Sequence, residues 1–243
     1  MILCLDAGNT RIKWGLWDGR GWCGSGALGH EEIGQLSGAL PARPARVLAC
    51  NVAGDAVAAS IADSAASLNL PLEWFRSSAA AGGVSNGYDN PAQLGADRWA
   101  ALIGARSVHA GPALVVMAGT ATTIDVLGAD GVFRGGLILP GLDLMRQALA
   151  RNTARLPAAH GKYRALPTNT DDAIISGCLF ATLGAIERMA CRSFDAVVDD
   201  NFCCLISGGG ADTLIPHLRV MYRRIDNLVL TGLARVSAAN EAR

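Results

Sequence analysis

Residues 2–15 read ILCLDAGNTRIKWG. Four apolar residues lead to Asp6, the chain bends through Gly8-Asn9-Thr10, and a second alternating segment follows, a pattern that predicts a strand, a tight polar turn and an antiparallel return strand. Glycine at such a bend lets backbone N–H groups approach an anion, and an aspartate at the strand end can hold a hydrated divalent cation. The pair suits a polyphosphate with its metal; an ordinary β-hairpin carries the same pattern, and this stretch alone does not separate the two.

The element recurs. Residues 113–128, ALVVMAGTATTIDVLG, again run an apolar strand into a small-residue turn, Ala118-Gly119-Thr120, and on to a β-rich segment ending near Asp125. The two turns lie about half a chain apart, as two similar half-domains require. The copy is imperfect: Met117 stands where Asp6 stands in the first.

Two lobes are therefore expected, residues 1–111 and 112–243, within a chain long enough to bury a substantial core. Half the residues are hydrophobic, 17% are charged and glycine is abundant, the composition of an α/β protein with tight turns. Basic and acidic residues balance, so no global field gathers nucleic acid or an anionic membrane. The seven cysteines form no CxxC pair and read as reduced core residues. No basic leader precedes an apolar run and no such run reaches spanning length, so a soluble cytoplasmic protein is expected.

Strand and helix alternate after the first hairpin: a strand at 46–51, a helix at 55–68, a strand at 72–75 and a loop at 77–87. Residues 88–99, YDNPAQLGADRW, open a long helix from Leu94, which puts Asp97 and Arg98 in its first turn. There the positive end of the helix dipole keeps a carboxylate ionised, which suits a group that accepts a hydroxyl proton, and Arg98 offers a planar cation for a carboxylate or phosphate. A surface Asp-Arg pair that only favours the helix start fits the same residues.

Farther on, a strand at 132–139 breaks at Pro140-Gly141 before a helix at 142–152, and five basic residues, Arg146, Arg151, Arg155, Lys162 and Arg164, either border a polyphosphate site or form a solvated loop. Thr168-Asn169-Thr170 caps a helix over 171–192 whose Gly177, Ala181, Gly184 and Ala185 leave a thin side for close packing. A strand at 202–207 enters Gly208-Gly209-Gly210, where backbone can lie against a flat group such as adenine, or simply turn. A last strand is expected at 227–230 and a terminal helix from Thr231; none of the four histidines has ligand spacing or receives a role.

Taken in order, DAGNTRIKWG, YDNPAQLGADRW, AGTATTID, GGLILPGL, TNTDDAI and SGGGAD resemble the type III pantothenate kinases, within the superfamily of acetate kinase, sugar kinases, heat-shock chaperones and actin. The resemblance spans essentially the whole chain. It implies an α/β fold of two ribonuclease-H-like lobes facing each other across an ATP cleft, and transfer of the γ-phosphoryl of ATP to pantothenate, the first step of coenzyme A synthesis. By the same resemblance Asp6, Ala7, Gly8, Asn9, Thr10, Arg11, Ile12 and Lys13 bind ATP, with Asp6 at Mg2+, and Thr120 contacts ATP from the opposite lobe. Asp97 matches the general base. Tyr88, Gly95, Ala96, Asp97 and Arg98 match the pantothenate contacts, as does Thr170, expected from the partner subunit of a homodimer whose active site lies at the interface. The family also implies a monovalent cation, K+ or NH4+, held by an aspartate at the second turn. Here that position is Met117, which cannot ligate a hard cation, so K+ is expected to act weakly or through other ligands. Two alternatives accompany this reading: another small-molecule kinase of the superfamily, and an accessory transcriptional regulator, although neutral charge and the lack of a helix-turn-helix pattern argue against direct DNA binding.

Overall fold

The computed structural model describes residues 1–153, 156, 159–193 and 201–241. The chain forms two compact units: residues 1–110, 130–134 and 227–243 make the first, residues 111–129 and 135–226 the second.

In the first unit β1 (Ile2–Ala7) returns antiparallel as β2 (Ile12–Trp17), and β3 (Trp22–Leu28) completes a meander. A short 3-10 turn, His30–Gln35, runs into α1 (Leu36–Ala39); β4 (Arg46–Asn51), α2 (Asp55–Ser67) and β5 (Leu72–Trp74) follow. The sheet order is β3-β2-β1-β4-β5, with β4 parallel to both β1 and β5. The strand–helix–strand crossover read from the sequence at 46–75 accounts for the parallel β4–β5 pair. Leu3, Leu5, Val47 and Ala49 on one sheet face pack with Ile61 and Ala65 of α2 and Leu36 of α1.

The segment expected to be a loop at 77–87 contains a small hairpin, β6 (Ala80–Ala81) and β7 (Val84–Asn86), turning at Gly82-Gly83. Strands this short leave no alternating pattern for a sequence to display. Helix α3 (Ala96–Val108) follows, buried along most of its length.

The second unit repeats the strand–turn–strand device in β8 (Ala113–Ala118) and β9 (Ala121–Leu127), continues through β10 (Val132–Pro140), whose first residues belong to the first unit and pair with β7, and then forms α4 (Leu142–Asn152) and α5 (Thr170–Ser193). Next come β11 (Cys203–Ser207), the short α6 (Ala211–Leu214) and β12 (Tyr222–Arg224). Leu114, Val116 and Ala118 of β8 pack with Leu179, Leu183 and Ile186 of α5, which is one of the core helices of this unit. By length and composition α5 alone among the described residues could cross a membrane, a property that core helices share.

The strand expected at 227–230 is instead the start of α7 (Leu228–Glu241), Thr231 N–H already donating to Asn227 O at 3.0 Å; the final strand is β12. An apolar run as short as Leu-Val-Leu has no periodicity that separates strand from helix. Helix α7 packs on α3, in the first unit, so a sequential boundary at residue 111 does not describe these units. At the crossing a Cβ on Gly232 would lie 1.8 Å from Ala100 O, and one on Gly104 would lie 2.3 Å from Leu228 O. Each helix thus touches the other's backbone, and no side chain larger than hydrogen fits at either point.

Candidate active site

The first turn is built as the sequence predicts. Asp6 lies opposite Lys13 and Ala7 opposite Ile12 in the β1–β2 ladder, and Gly8 N–H donates to Arg11 O at 3.2 Å to close the bend. Ala7 and Ile12 are core residues that anchor the base of the hairpin, while Asn9, Thr10 and Arg11 are exposed at its tip. Asp6 is buried next to Cys50 of β4. Burial raises its carboxyl pKa to about 6; Lys13 opposes that rise and the charge of Asp97 adds to it. The thiol of Cys50 is pushed well up by burial and by the same two carboxylates.

Asp97 lies in the first turn of α3, as expected, where its Oδ1 accepts the Arg98 N–H at 2.8 Å. The carboxylate folds back over Gly95, so that a Cβ there would come within 2.7 Å of Oδ1. Arg98 is buried; its Nη1 donates to the Tyr88 hydroxyl at 2.8 Å, and its guanidinium lies 5.6 Å from the Tyr88 ring centre and 5.8 Å from that of Phe133. Tyr88 and Phe133 stack at 5.5 Å. Hydrogen bonding and two aromatic faces hold this cation against the desolvation of burial. Asp6, Lys13 and Asp97 thus interact electrostatically, Tyr88 and Arg98 bond directly, and all five belong to the first unit.

Two neighbours of these residues had no sequence signal. Phe133, fully buried, looks in the sequence like any apolar strand residue after an Asp-Gly turn. His30, one of four scattered histidines, places Nε2 2.9 Å from Gly8 O.

In the second unit Thr120 occupies the β8–β9 turn, its carbonyl accepting the Gly141 N–H at 2.8 Å. Gly210 N–H donates to Ala118 O at 3.0 Å, so the late glycine turn is packed on the β8–β9 turn. Gly208, at φ +98°, comes so close that a Cβ would lie 2.2 Å from Ala118 O. Thr170 begins α5 and is exposed; beside it Asn169 and Asp172 exchange hydrogen bonds, Asp172 N–H to Asn169 Oδ1 at 2.9 Å and Asn169 Nδ2 to Asp172 Oδ2 at 3.0 Å. Of the basic residues, Arg146 bonds Asp143 at 2.8 Å and Arg164 approaches Asp172 at 3.7 Å; Arg155 lies outside the described residues. Two members of that group therefore face carboxylates.

A divalent ion fits the first turn. Mg2+ prefers one or two carboxylates together with phosphate and water oxygens, and Asp6, with Asp97 near enough to raise its pKa, supplies hard oxygen donors in an environment that disfavours uncompensated negative charge. At the second turn Met117 offers a soft thioether, which is a poor ligand for a hard monovalent cation.

Solved structures share this fold. A Campylobacter jejuni protein proposed to be a Baf family transcriptional activator superposes with a TM-score of 0.68 at 19% identity over 99% of this chain and all of its own. A Sinorhizobium meliloti protein proposed to be a 2-dehydro-3-deoxygalactonokinase gives 0.61 at 15% identity over 100% of this chain and 99% of its own. The architecture, an α/β fold of two compact units, is one these proteins share. Sequence narrows it further: the type III pantothenate kinase family matches residues 2–192. Proteins named type III pantothenate kinase from Aromatoleum aromaticum and from an Azoarcus species are 53% and 48% identical, both over 100% of this chain and over 100% and 92% of their own lengths. The chain belongs to the type III pantothenate kinase family, and these relatives favour the kinase over the regulatory alternative.

Proposed function

We propose that the protein transfers the γ-phosphoryl group of ATP to the primary hydroxyl of pantothenate, giving 4′-phosphopantothenate and ADP at the first step of coenzyme A synthesis. The observation that carries this reading is the half-buried Asp97 carboxylate, held at the head of α3 and electrostatically coupled to Asp6. Asp97 accepts the proton of the pantothenate hydroxyl as its oxygen bonds the γ-phosphorus and the bond to ADP breaks. Lys13 and the backbone N–H groups of the 8–11 turn hold the phosphates, and Thr120 is a further ATP contact. Arg98, fixed by Tyr88, pairs with the pantothenate carboxylate, with Gly95, Ala96 and Thr170 completing the substrate contacts. Asp6 would hold Mg2+, and the ion would supply charge neutralisation for the phosphate. Phosphoryl transfer needs chiefly alignment and charge neutralisation, and these groups are of the kinds that provide both.

The protein works as a cytoplasmic homodimer in this proposal, with Thr170 supplied to the partner's site. The outward face of α5 supports it: Ala173, Gly177, Phe180, Ala181 and Gly184 are all exposed, a smooth apolar strip suited to a second helix. The deciding experiment measures ATP-dependent phosphorylation of pantothenate by the wild type beside Asp97→Asn, with folding checked by circular dichroism. A folded variant that loses most turnover supports the reading; a wild type that binds ATP and leaves pantothenate untouched overturns the substrate assignment.

A further inference from the structure

We infer that His30 is a positioning residue for nucleotide binding, acting through the peptide between Gly8 and Asn9. The inference rests on the kinase reading for the identity of the anion, and on the following geometry for everything else.

The phosphate-type turn closes on itself through Gly8 N–H and Arg11 O, and its outward carbonyl, that of Gly8, meets His30 Nε2 at 2.9 Å from a point 22 residues away. A carbonyl only accepts, so Nε2 carries the proton. The peptide is trans, and in a planar trans unit the carbonyl and the following N–H point in opposite directions. Anchoring Gly8 O toward His30 therefore directs the Asn9 N–H away from it and removes the rotation by which a glycine-containing turn otherwise loses its aim. Anion binding by backbone amides depends on that aim.

The mount of His30 is itself fixed. Gly29 N–H donates to Glu32 Oε2 at 2.7 Å, Glu32 N–H returns to Gly29 O at 3.1 Å, and Ile33, next in the same short turn, is buried in the core of the unit. Upstream, Leu28 is held opposite Ile12 in the β2–β3 ladder, so the imidazole is braced from both sides against the hairpin whose tip it touches. Asn9, Thr10 and Arg11 at that tip are exposed. A long-range bond to the carbonyl next to them adds a restraint on the tip before ATP arrives.

The test compares wild type with His30→Ala, His30→Gln and His30→Asn. Glutamine places an amide N–H near the position of Nε2, whereas asparagine reproduces only Nδ1 and falls short of Gly8 O. Binding of ATP with Mg2+ is measured by calorimetry, with steady-state constants for both substrates and a thermal melt of each variant. The expected result is ATP affinity weakened about three- to tenfold in the alanine and asparagine variants, as loss of one net hydrogen bond implies, and restored by glutamine, with the pantothenate KM unchanged. Affinity equal to wild type in His30→Ala, a shift in melting temperature alone, or glutamine no better than asparagine overturns the inference. Because the comparison reads nucleotide binding directly, it still decides the role of His30 if the wild type binds ATP and fails to phosphorylate pantothenate.

Discussion

Asp6 lies directly opposite Lys13 across the β1–β2 ladder, and even so its carboxyl pKa is raised to about 6, because burial outweighs the lysine and Asp97 adds to the rise. Without a ligand, ionised Asp6 opposes folding. The neutral form is favoured in the fold, so the penalty is absent below the ordinary value of 3.8, grows as pH rises from there to about 6, and stays constant above. Asp6→Asn is expected to stabilise the nucleotide-free protein above pH 6 by up to roughly 3 kcal/mol, with no gain at pH 3.5, and to abolish the stabilisation by ATP and Mg2+. Melting curves across pH, with and without nucleotide, check both halves.

Gly95 should separate catalysis from stability. A methyl group there meets Asp97 Oδ1, the movable end of a side chain, at 2.7 Å, so Gly95→Ala displaces the carboxylate and leaves the backbone in place. Turnover is expected to fall about 10- to 100-fold, in the range that misplacing a proton acceptor produces. The melting temperature should change little; a variant with wild-type kcat removes Asp97 from the position assigned to it.

At the α3–α7 crossing the obstacle is backbone. Gly232→Ala sets a methyl group 1.8 Å from Ala100 O, which can be relieved only by moving a helix. A loss of about 1–3 kcal/mol or more is expected in denaturant unfolding. Activity should fall with it, because α3 carries Asp97 and Arg98.

Phe133→Leu removes one of the two rings that face the Arg98 guanidinium while leaving an apolar residue of similar bulk. The expected consequence is a pantothenate KM raised several-fold with the ATP KM unchanged, on the scale of about 1 kcal/mol that a cation–π contact contributes. Equal changes in both constants would mean a general loss of structure.

Met117 predicts the response to salt. Titration of K+ at constant ionic strength should show no large saturable activation, and Met117→Asp, which restores a hard oxygen ligand at the second turn, should introduce one. Strong activation of the wild type would sink the prediction.

What could be read from the sequence was local. Alternation and a polar turn place Asp6 opposite Lys13, a proline and a run of helix formers place Asp97 in the first turn of α3, and the bounds of β4 and α4 follow from apolar runs and breakers. What could not be read depends on chain segments distant in sequence. Phe133 meets Tyr88 across 44 intervening positions, about a fifth of the chain, and His30 reaches Gly8 through a meander. Neither residue type announces such a role. Residues 227–230 read as a strand in sequence because an apolar triplet serves a strand or a helix equally well, and only its packing on α3 decides.

That packing bears on how the chain is made. Residues 1–110 emerge from the ribosome early, but the helix that presses on α3 is synthesised after the whole of the second unit. The stretch bearing Asp97 must therefore wait, with one flank of α3 uncovered, until residues 228–241 arrive. A nonsense codon after residue 226 would spare every proposed ligand of ATP and pantothenate and still strip the base-bearing helix of its support, leaving an apolar face for chaperones or proteases to find.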